Sequence, residues 1–387
     1  MLLRWAVLGF TAARIVLAQG TGEPLSSWTP GTLEIHQIHT GRGNSAFFVF
    51  PDGTTMLLDA GSVPDRKGLE IGPLRPNASR TPAESIAGYV QQFSPRKPAV
   101  LDYAVVTHYH DDHMGALTRI TELIPITTLI DRGDDPAPPT FPVVRSYFDF
   151  RKSFRGVVQP LRIGRTDQIV PRRSPSSAKD FDVRNVAGNG SVWTGTGTDT
   201  RNVFPPNWRS LPKADQPSEN DFSLALLIRY GRFRYYTGGD LAGVVLDEGP
   251  SWRDLETPVA QAIGAVDVAV LNHHGWLDTT NPFFLRTLNP RVVVIPAWHA
   301  THPDHSVLRR LRSPSWKPAP PDLFITSLLD APRAIFSYLG ESFKSTDGHI
   351  VVRVPSGGES YEVIILDDTS EAATVKARFG PYRSRAN

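Results

Sequence analysis

The stretch that decides the fold is Thr107-His108-Tyr109-His110-Asp111-Asp112-His113-Met114-Gly115. It brings three histidines and two aspartates together within six residues. Imidazole and carboxylate groups are common protein ligands of zinc, iron and manganese. A loop this rich in ligands can present some of them to one ion and the rest to a second. The stretch therefore predicts a metal site with one or two ions.

The segment before this loop predicts a short buried strand. Residues 100–106 are mostly apolar and partly β-branched, and the run is too brief for a helix. Strand ends are held rigidly while the loops beyond them face a crevice, which makes them a common position for a site in an α/β protein. We therefore expect the metal ligands to lie where this strand ends.

The rest of the chain predicts strands in two batches with helices between them. Strands are predicted at 33–38, 46–50, 55–58, 222–230, 233–237, 266–271, 292–295, 350–354 and 361–366, and helices near 84–93, 113–123 and 282–288. Residues from about 131 to 220 are dense in Pro, Gly, Ser, Thr and Arg with weak periodicity, which predicts an irregular insertion. Near-continuous apolar strands favour two sheets packed face to face with helices outside.

Composition bounds the chemistry. With 387 residues and 40% hydrophobic content, the chain is long enough for a well-buried core, as one large domain or two smaller ones. It contains no cysteine, which excludes thiolate ligands and disulfides, so any metal must be held by His, Asp and Asn. One stretch of the predicted insertion is crowded with Arg151, Lys152, Arg155, Arg162, Arg165, Arg172, Arg173, Lys179 and Arg184. Such a patch could attract phosphate, or it could be a solvated surface.

The N-terminus predicts export. Arg4 precedes an apolar run at 6–17, and Val16-Leu17-Ala18 suits signal-peptide cleavage, so we expect a signal peptide at 1–18 and a secreted single domain at 19–387. A membrane-tethered N-terminus is the alternative. Sequons at Asn77 and Asn189 agree with a secreted glycoprotein. Without Arg4 and Arg14 the chain has 39 basic and 39 acidic residues, so bulk charge predicts no partner. No later stretch is long and apolar enough to span a membrane.

Polar groups recur where later strands stop. The sequence places Asp59-Ala60-Gly61, Thr237-Gly238-Gly239-Asp240 and Asn272-His273-His274-Gly275 at such points. His299, His302 and His305 form a further cluster, for which substrate binding or proton donation and an ordinary surface loop are equal alternatives. His36 and His39 are interpreted mainly as structural residues of an early strand end.

These motifs together resemble the metallo-β-lactamase superfamily, whose signature is His-x-His-x-Asp-His. The flanking Gly41-Arg42-Gly43-Asn44-Ser45 and Asn220-Asp221-Phe222-Ser223-Leu224-Ala225-Leu226 are similar to the metallo-hydrolase domain of ComEC-type competence proteins. The resemblance covers about residues 33–305. It implies a four-layer αββα sandwich, the metallo-β-lactamase fold, and an enzyme that uses Zn²⁺, with Mn²⁺ or Fe as alternatives.

The resemblance also implies residue roles. His108 and His110 would bind the first ion, Asp112 and His113 the second, and Asp240 would bridge them. Either His273 or His274 would complete the second ion's ligands, and Asp59 would support the ligand loop. Asp112 and His302 are the expected catalytic residues. Two dications flanking a water lower its pKa and polarise a scissile carbonyl or phosphoryl group.

One departure concerns the first ion. Family members supply a further histidine between the main motif and the bridging aspartate, but this chain has no histidine from Met114 to Asn272. Asn220 and Asp221 occupy roughly that place, and Asp221 is the carboxylate expected to serve there. The alternative is a weak first site and a mononuclear enzyme.

The sequence thus predicts a secreted zinc-dependent hydrolase of a phosphodiester or similar ester bond in a small or polymeric substrate, with nucleic acid as a candidate partner. Lactone or carboxylic-ester hydrolysis is the main alternative. Iron-based redox chemistry and a non-catalytic metal-binding protein of the same fold are further alternatives. The oligomeric state cannot be predicted.

Overall fold

A computed structural model of the chain describes residues 20–65, 68, 70–174, 177–246, 249–313, 319–335 and 343–385. The predicted signal peptide at 1–18 lies outside these residues. Within the described part of the chain, no helix combines the length and apolarity needed to cross a membrane.

The elements follow one another along the chain with short connections. They are β1 (Leu33–Gln37), β2 (Ala46–Val49), β3 (Thr55–Leu58), α1 (Pro82–Phe93), β4 (Leu101–Val105), α2 (Asp111–Met114), α3 (Leu117–Leu123), β5 (Ile126–Asp131), α4 (Pro142–Ser153), β6 (Val157–Pro160), β7 (Phe181–Gly188), β8 (Ser191–Trp193), β9 (Thr200–Asn202), β10 (Ala225–Tyr230), β11 (Phe233–Thr237), α5 (Glu256–Ile263), β12 (Val268–Val270), α6 (Pro282–Leu288), β13 (Val292–Ile295), α7 (His305–Leu311), β14 (Asp322–Ile325), α8 (Asp330–Ile335), β15 (Phe343–Ser345), β16 (His349–Val354), β17 (Ser360–Leu366) and β18 (Val375–Arg383).

The strands form two nine-stranded sheets. The first has the order β18-β17-β16-β1-β2-β3-β4-β5-β6, and the second β15-β14-β13-β12-β11-β10-β7-β8-β9. Both sheets are mixed: pairing is parallel from β3 to β6 and from β11 to β15, and the other pairs are antiparallel. The strands at the sheet edges are β18 and β6 in one sheet and β15 and β9 in the other.

The sheets pack face to face and carry helices on their outer faces. Neighbouring residues on β2 show the alternation, since Phe48 packs in the core between the sheets and Phe47 packs beneath the helices. The ring of Phe48 meets that of Tyr235 on β11 at a centroid distance of 6.0 Å. The predicted four-layer αββα sandwich is confirmed.

Local sequence explains how individual helices begin and end. Thr81 and Glu84 form a capping box at the start of α1, where Pro82 occupies the first turn. The Asn281 side chain accepts the Phe284 N–H at the start of α6, and Asn289 ends that helix in the left-handed conformation. These helices cover opposite outer faces, so capping helps to set both outer layers.

The range 131–220, predicted to be irregular, carries a helix and four strands, β6 to β9. The strand β7 pairs with β10 near the middle of the second sheet. The composition concealed these strands because β6 and β9 are edge strands with polar or exposed side chains, while β7 alternates charged residues such as Asp182 and Arg184 with apolar ones. The strand β18, after the predicted terminal hairpin, was also missed.

The arrangement of parallel strands positions the site. Parallel strands direct their carboxyl ends to the same side, and the loops after β3, β4, β11, β12 and β13 carry the polar motifs found in the sequence. The first two strands belong to one sheet and the other three to the second. The predicted ligands therefore meet where the two sheets face each other.

Candidate metal centre

The ligand loop follows β4 and is fixed by close backbone contacts. His110 precedes the single turn of α2, and the His113 N–H donates to the His110 carbonyl at 3.1 Å. The Asn44 N–H donates to the Asp112 carbonyl oxygen at 2.8 Å. A Cβ at Gly61 would collide with that same carbonyl oxygen, so only glycine allows the two loops to approach this closely.

Asp59 orients the loop from below, in the role that the sequence predicted. Its Oδ1 accepts the Thr107 N–H at 2.8 Å, and its Oδ2 accepts the Thr107 hydroxyl at 2.9 Å. The same Oδ2 accepts from His113 Nδ1 at 2.7 Å and from the Asn44 amide at 3.0 Å. Because a carboxylate only accepts, the proton of the His113 ring resides on Nδ1 and Nε2 is left to face the site.

The second predicted ion has a compact group of ligands: Asp112, His113, Asp240 and His274. His113 Nε2 lies 3.3 Å from His274 Nε2 and 3.1 Å from Asp240 Oδ1. Asp112 Oδ2 lies 3.1 Å from His274 Nε2. In a tetrahedral zinc site with bonds of about 2.0–2.2 Å, neighbouring ligand atoms are about 3.3–3.6 Å apart. The group therefore fits a divalent ion.

The protonation of the two rings supports that fit. His274 Nδ1 lies 3.0 Å from the Pro296 carbonyl oxygen and donates to it, so its Nε2, like that of His113, carries a lone pair when the ring is neutral. Two lone pairs and two carboxylate oxygens then converge on one point. Asp240 Oδ1 is buried and has no hydrogen-bond partner among the described residues. A cation satisfies all of these groups together.

The first group consists of His108, His110 and Asp240. His108 Nε2 lies 3.0 Å from His110 Nδ1 and 3.6 Å from Asp240 Oδ2. The Thr107 hydroxyl donates to Asp59 and therefore accepts from His108 Nδ1 at 3.1 Å, which again leaves Nε2 free for a ligand bond. Asp240 thus offers one oxygen to each group, as expected for a bridging carboxylate.

Electrostatics prepares the carboxylates for a cation. Burial acts to raise the pKa of Asp240, but the surrounding imidazoles, His113 foremost, hold it well below its ordinary value. The same balance, with His113 and His274 as partners, lowers the pKa of Asp112. Burial, reinforced by the charge of His113, keeps the pKa of His108 well below its ordinary value. The site therefore combines ionised carboxylates with a neutral imidazole, which is the donor set a divalent metal takes.

The sequence left the His273 and His274 pair unresolved, and the structure separates them. Both residues have left-handed backbone conformations, with φ of 47° and 55°. Only His274 joins the second group. His273 Nε2 lies 3.7 Å from Asp240 Oδ2, the oxygen that faces the first group, and 3.2 Å from the Asn220 amide nitrogen.

Asp221, the carboxylate predicted to replace the missing histidine, belongs to neither group. Its Oδ2 accepts the Ser218 N–H at 2.7 Å and the Ser218 hydroxyl at 3.0 Å. It thus closes a local turn, as a short polar side chain before a helical turn commonly does. Its neighbour Asn220 is the residue that turns toward the site.

The late histidine cluster divides in the same way. The buried ring of His302 stacks on His274 with centroids 4.8 Å apart and planes at 18°, between Trp276 and Trp298. His299 pairs locally with Thr301 at 2.8 Å. His305 begins α7. Of this cluster, His302 is therefore the residue placed against the metal ligands.

The early histidines have structural partners. His36 lies between the Tyr89 hydroxyl at 2.9 Å and Glu34 at 3.2 Å, and His39 donates to Asp368 at 2.5 Å. All of these groups are buried. This agrees with the structural interpretation of both histidines.

Sequence reasoning missed two buried acids that hold the ligand loops. Glu219 accepts the Tyr109 N–H and forms a two-pronged pair with the guanidinium of Arg132, all at 2.8 Å. Glu256 accepts from the Asn272 amide at 2.9 Å and from the Thr280 N–H at 2.7 Å. Burial raises the pKa of Glu256 to about 8 against the lowering effect of these donors. A charged residue beside an apolar strand, as Arg132 is, was the available signal.

The basic stretch is largely neutralised by local acids. Arg151 pairs with Asp131 at 3.0 Å, Arg165 with Asp167 at 2.5 Å and Arg173 with Asp102 at 2.7 Å. Arg172 lies over the ring of Tyr103 at 4.2 Å. The patch therefore offers weaker support for phosphate binding than the sequence alone suggested.

Comparison with known proteins agrees with this architecture. Residues 39–196 match the family model described as the Metallo-beta-lactamase superfamily. No curated protein matches the chain.

Several solved structures are similar at low identity. CmlA, a diiron beta-hydroxylase from Streptomyces venezuelae, is 16% identical with a TM-score of 0.38, and the match covers 69% of this chain and 45% of that one. Human tRNase Z, short form, is 12% identical with a TM-score of 0.33, covering 67% and 91%. The metallo-beta-lactamase SMB-1 bound to 2-mercaptoethanesulfonate is 13% identical with a TM-score of 0.32, covering 65% and 81%. The chain spans about half the length of the two CmlA structures that it matches, 55% and 45%.

Proposed function

We propose that this chain, which carries a metallo-beta-lactamase superfamily domain, is a metal-dependent hydrolase that cleaves an ester-type bond. The observation that carries the proposal is the position of Asp240. It shares its two oxygens between the group of Asp112, His113 and His274 and the group of His108 and His110. A buried carboxylate between two sets of imidazoles is the arrangement that a two-ion hydrolytic site requires.

Zn²⁺ is the ion we propose first, with Mn²⁺ or Fe as alternatives. The ligand set is nitrogen-rich, has no thiolate and matches the spacing of a tetrahedral site. When bound, such an ion polarises the scissile carbonyl or phosphoryl oxygen and makes a water nucleophilic near neutral pH. The protein supplies the orientation: Asp59 fixes His113, and the Pro296 carbonyl fixes His274.

Two residues have proposed roles in the reaction itself. The carboxylate of Asp112 lies on the accessible side of the second group, where it can hold a proton or orient the attacking water. His302 stacks on His274 with a buried Nδ1 that has no partner among the described residues. We assign His302 the role of donating a proton to the leaving group.

Two ester classes remain candidates for the substrate. A phosphodiester, in a small molecule or a nucleic acid, is supported by the motif resemblance to competence-type domains. A lactone or carboxylic ester is supported by the local pairing of the arginines in the basic stretch, since an uncharged substrate needs no anion-binding surface.

The test compares both classes on one preparation. Zinc-loaded protein is assayed with bis(4-nitrophenyl) phosphate and with a simple lactone. We expect turnover of one class, and we expect His110→Ala to reduce it by at least about 100-fold, because even outer-shell partners of a metal are worth about 10–100-fold. His302→Asn should lower kcat while the metal content stays unchanged.

The controls identify the competing functions. His299→Ala removes a neighbouring imidazole outside both groups and should keep wild-type turnover. Full activity in His110→Ala would contradict the proposed site. Tight metal binding without turnover of any ester would favour a non-catalytic metal-binding protein. Iron in protein purified without added metal, together with oxygen consumption, would favour redox chemistry.

A further inference from the structure

The first metal group lacks a ligand that the second group has. The second contains Asp112, His113 and His274 in addition to Asp240, whereas the first has only His108 and His110 beside it. No histidine occurs from Met114 to Asn272, and Asp221 is engaged by Ser218. A replacement ligand for the first ion must therefore come from elsewhere in the fold.

His273 lies at the margin of the first group. Its Nε2 is 3.7 Å from Asp240 Oδ2, close to the 3.6 Å that separates His108 Nε2 from the same oxygen. On the other side of the carboxylate, His274 Nε2 lies 3.8 Å from Oδ1. The two adjacent histidines thus approach the two oxygens of one bridging carboxylate.

The backbone conformation explains how adjacent residues achieve this. His273 and His274 are both left-handed, with φ of 47° and 55°, in a short turn that ends at Gly275. Such a conformation is costly for residues other than glycine, roughly 1–3 kcal/mol each, and is retained where the surroundings demand it. An extended backbone would place successive side chains on opposite faces, so the turn is what allows both rings to reach Asp240.

The ring of His273 is also held as a metal-binding histidine is held. Its Nδ1 donates to Asp278 Oδ1 at 2.8 Å, which leaves Nε2 as the ligand nitrogen directed at the site. Nε2 contacts the Asn220 amide nitrogen at 3.2 Å, while Asn220 Oδ1 is buried without a hydrogen-bond partner among the described residues. Asn220 therefore marks a polar position that the protein groups alone do not satisfy.

We infer that His273, held by Asp278 and flanked by Asn220, is the third imidazole ligand of the first ion, in place of the histidine absent from 114–272. The turn at 272–275 then serves both ions, with His273 on the first and His274 on the second. This inference rests on the proposed metal centre and adds its division of ligands. It does not depend on which ester is cleaved.

The experiment counts ions and does not use turnover. Metal-free full-length protein is titrated with Co²⁺, and binding is followed by elemental analysis and by the visible absorption of the bound ion. We expect two ions in the wild type and one in His273→Ala, with the first ion weakened at least 100-fold. We expect His299→Ala, the matched loss of a nearby imidazole, to retain two. Circular dichroism checks that each variant is folded.

A milder variant keeps the test decisive if His273→Ala does not fold. Asp278→Asn retains the ring but weakens its orientation, and we expect about 10–100-fold weaker binding of the first ion with the second ion unchanged. Unchanged affinity for both ions in His273→Ala would overturn the inference. A single ion of equal affinity in wild type and His273→Ala would also overturn it.

A third variant separates the imidazole from the amide. If Asn220→Ala loses the first ion while His273→Ala keeps it, the ligand is the Asn220 oxygen and the inference is overturned. If two ions bind in a manner that depends on His273 but no ester is cleaved, the proposed function fails and the inference stands.

Discussion

Single buried side chains, outside the metal ligands themselves, determine whether the ligand loop keeps its shape. Glu219 accepts the N–H of Tyr109, the residue between His108 and His110, and pairs with Arg132, whose side chain is fully buried. Removing one partner of such a pair leaves an uncompensated buried charge, which costs far more than the intact pair contributes. The sequence motif named the ligands, but it carries no information on this support, because Glu219 is distant in sequence and lies in a stretch without periodicity.

We predict that Glu219→Gln lowers the free energy of unfolding by about 3–5 kcal/mol, since it leaves the Arg132 guanidinium buried without a counter-charge. Urea unfolding followed by circular dichroism measures the change. Glu362→Gln is the control, because Glu362 and Arg378 form a partly exposed pair at 3.0 Å, and we expect a loss of no more than about 1 kcal/mol. Equal losses in the two variants would show that the Arg132 pair is not special.

At the scale of elements, the sequence predicted the interior strands and missed those at the edges. Buried runs such as β3 and β4 have few polar residues, so composition and length identify them. By contrast, β9 is fully exposed and polar, and its place in the sheet depends on pairing with β8, which no local pattern records. The motif likewise predicted which loops hold ligands, but not that the left-handed turn at 272–275 separates His273 from His274.

The approach of two loops at Gly61 gives a prediction about element packing. Gly61→Ala places a methyl group against the Asp112 carbonyl, and we expect a loss of about 1–3 kcal/mol of stability with weaker metal binding. Gly88→Ala on α1 is the matched control, because nothing lies within 4 Å of its Cβ position. It should gain about 0.5–1 kcal/mol. Thermal unfolding and metal titration of both variants test this, and a stable, metal-binding Gly61→Ala would refute it.

For the whole molecule, the metal centre joins the two sheets. His108, His110, Asp112 and His113 follow a strand of the first sheet, whereas Asp240 and His274 follow strands of the second. The sequence could predict this closure only through resemblance to a known fold, because nothing in the local pattern fixes which sheet each strand joins. An ion bound by residues of both sheets binds only the folded state, so its affinity adds to global stability.

Chelation should therefore lower the melting temperature. At a free zinc concentration of about 100 times Kd, binding contributes about 2.7 kcal/mol, which corresponds to roughly 3–4 °C for a chain of this size. Differential scanning fluorimetry with zinc and with EDTA measures the difference. Asp240→Asn, which removes the shared carboxylate, should show little difference between the two conditions. An equal shift in that variant would indicate that zinc stabilises the protein elsewhere.

The edge strands have a consequence for how copies of this chain meet. The strand β18 carries Lys376, Arg378 and Arg383, with Pro381 among them, and β6 ends at Pro160. Proline lacks the N–H that a new neighbour would need, and like charges repel an identical edge. The first sheet is therefore protected at both sides against strand addition from another molecule. Two long sheets thus coexist with a low tendency to aggregate edge to edge at the high local concentrations of folding chains.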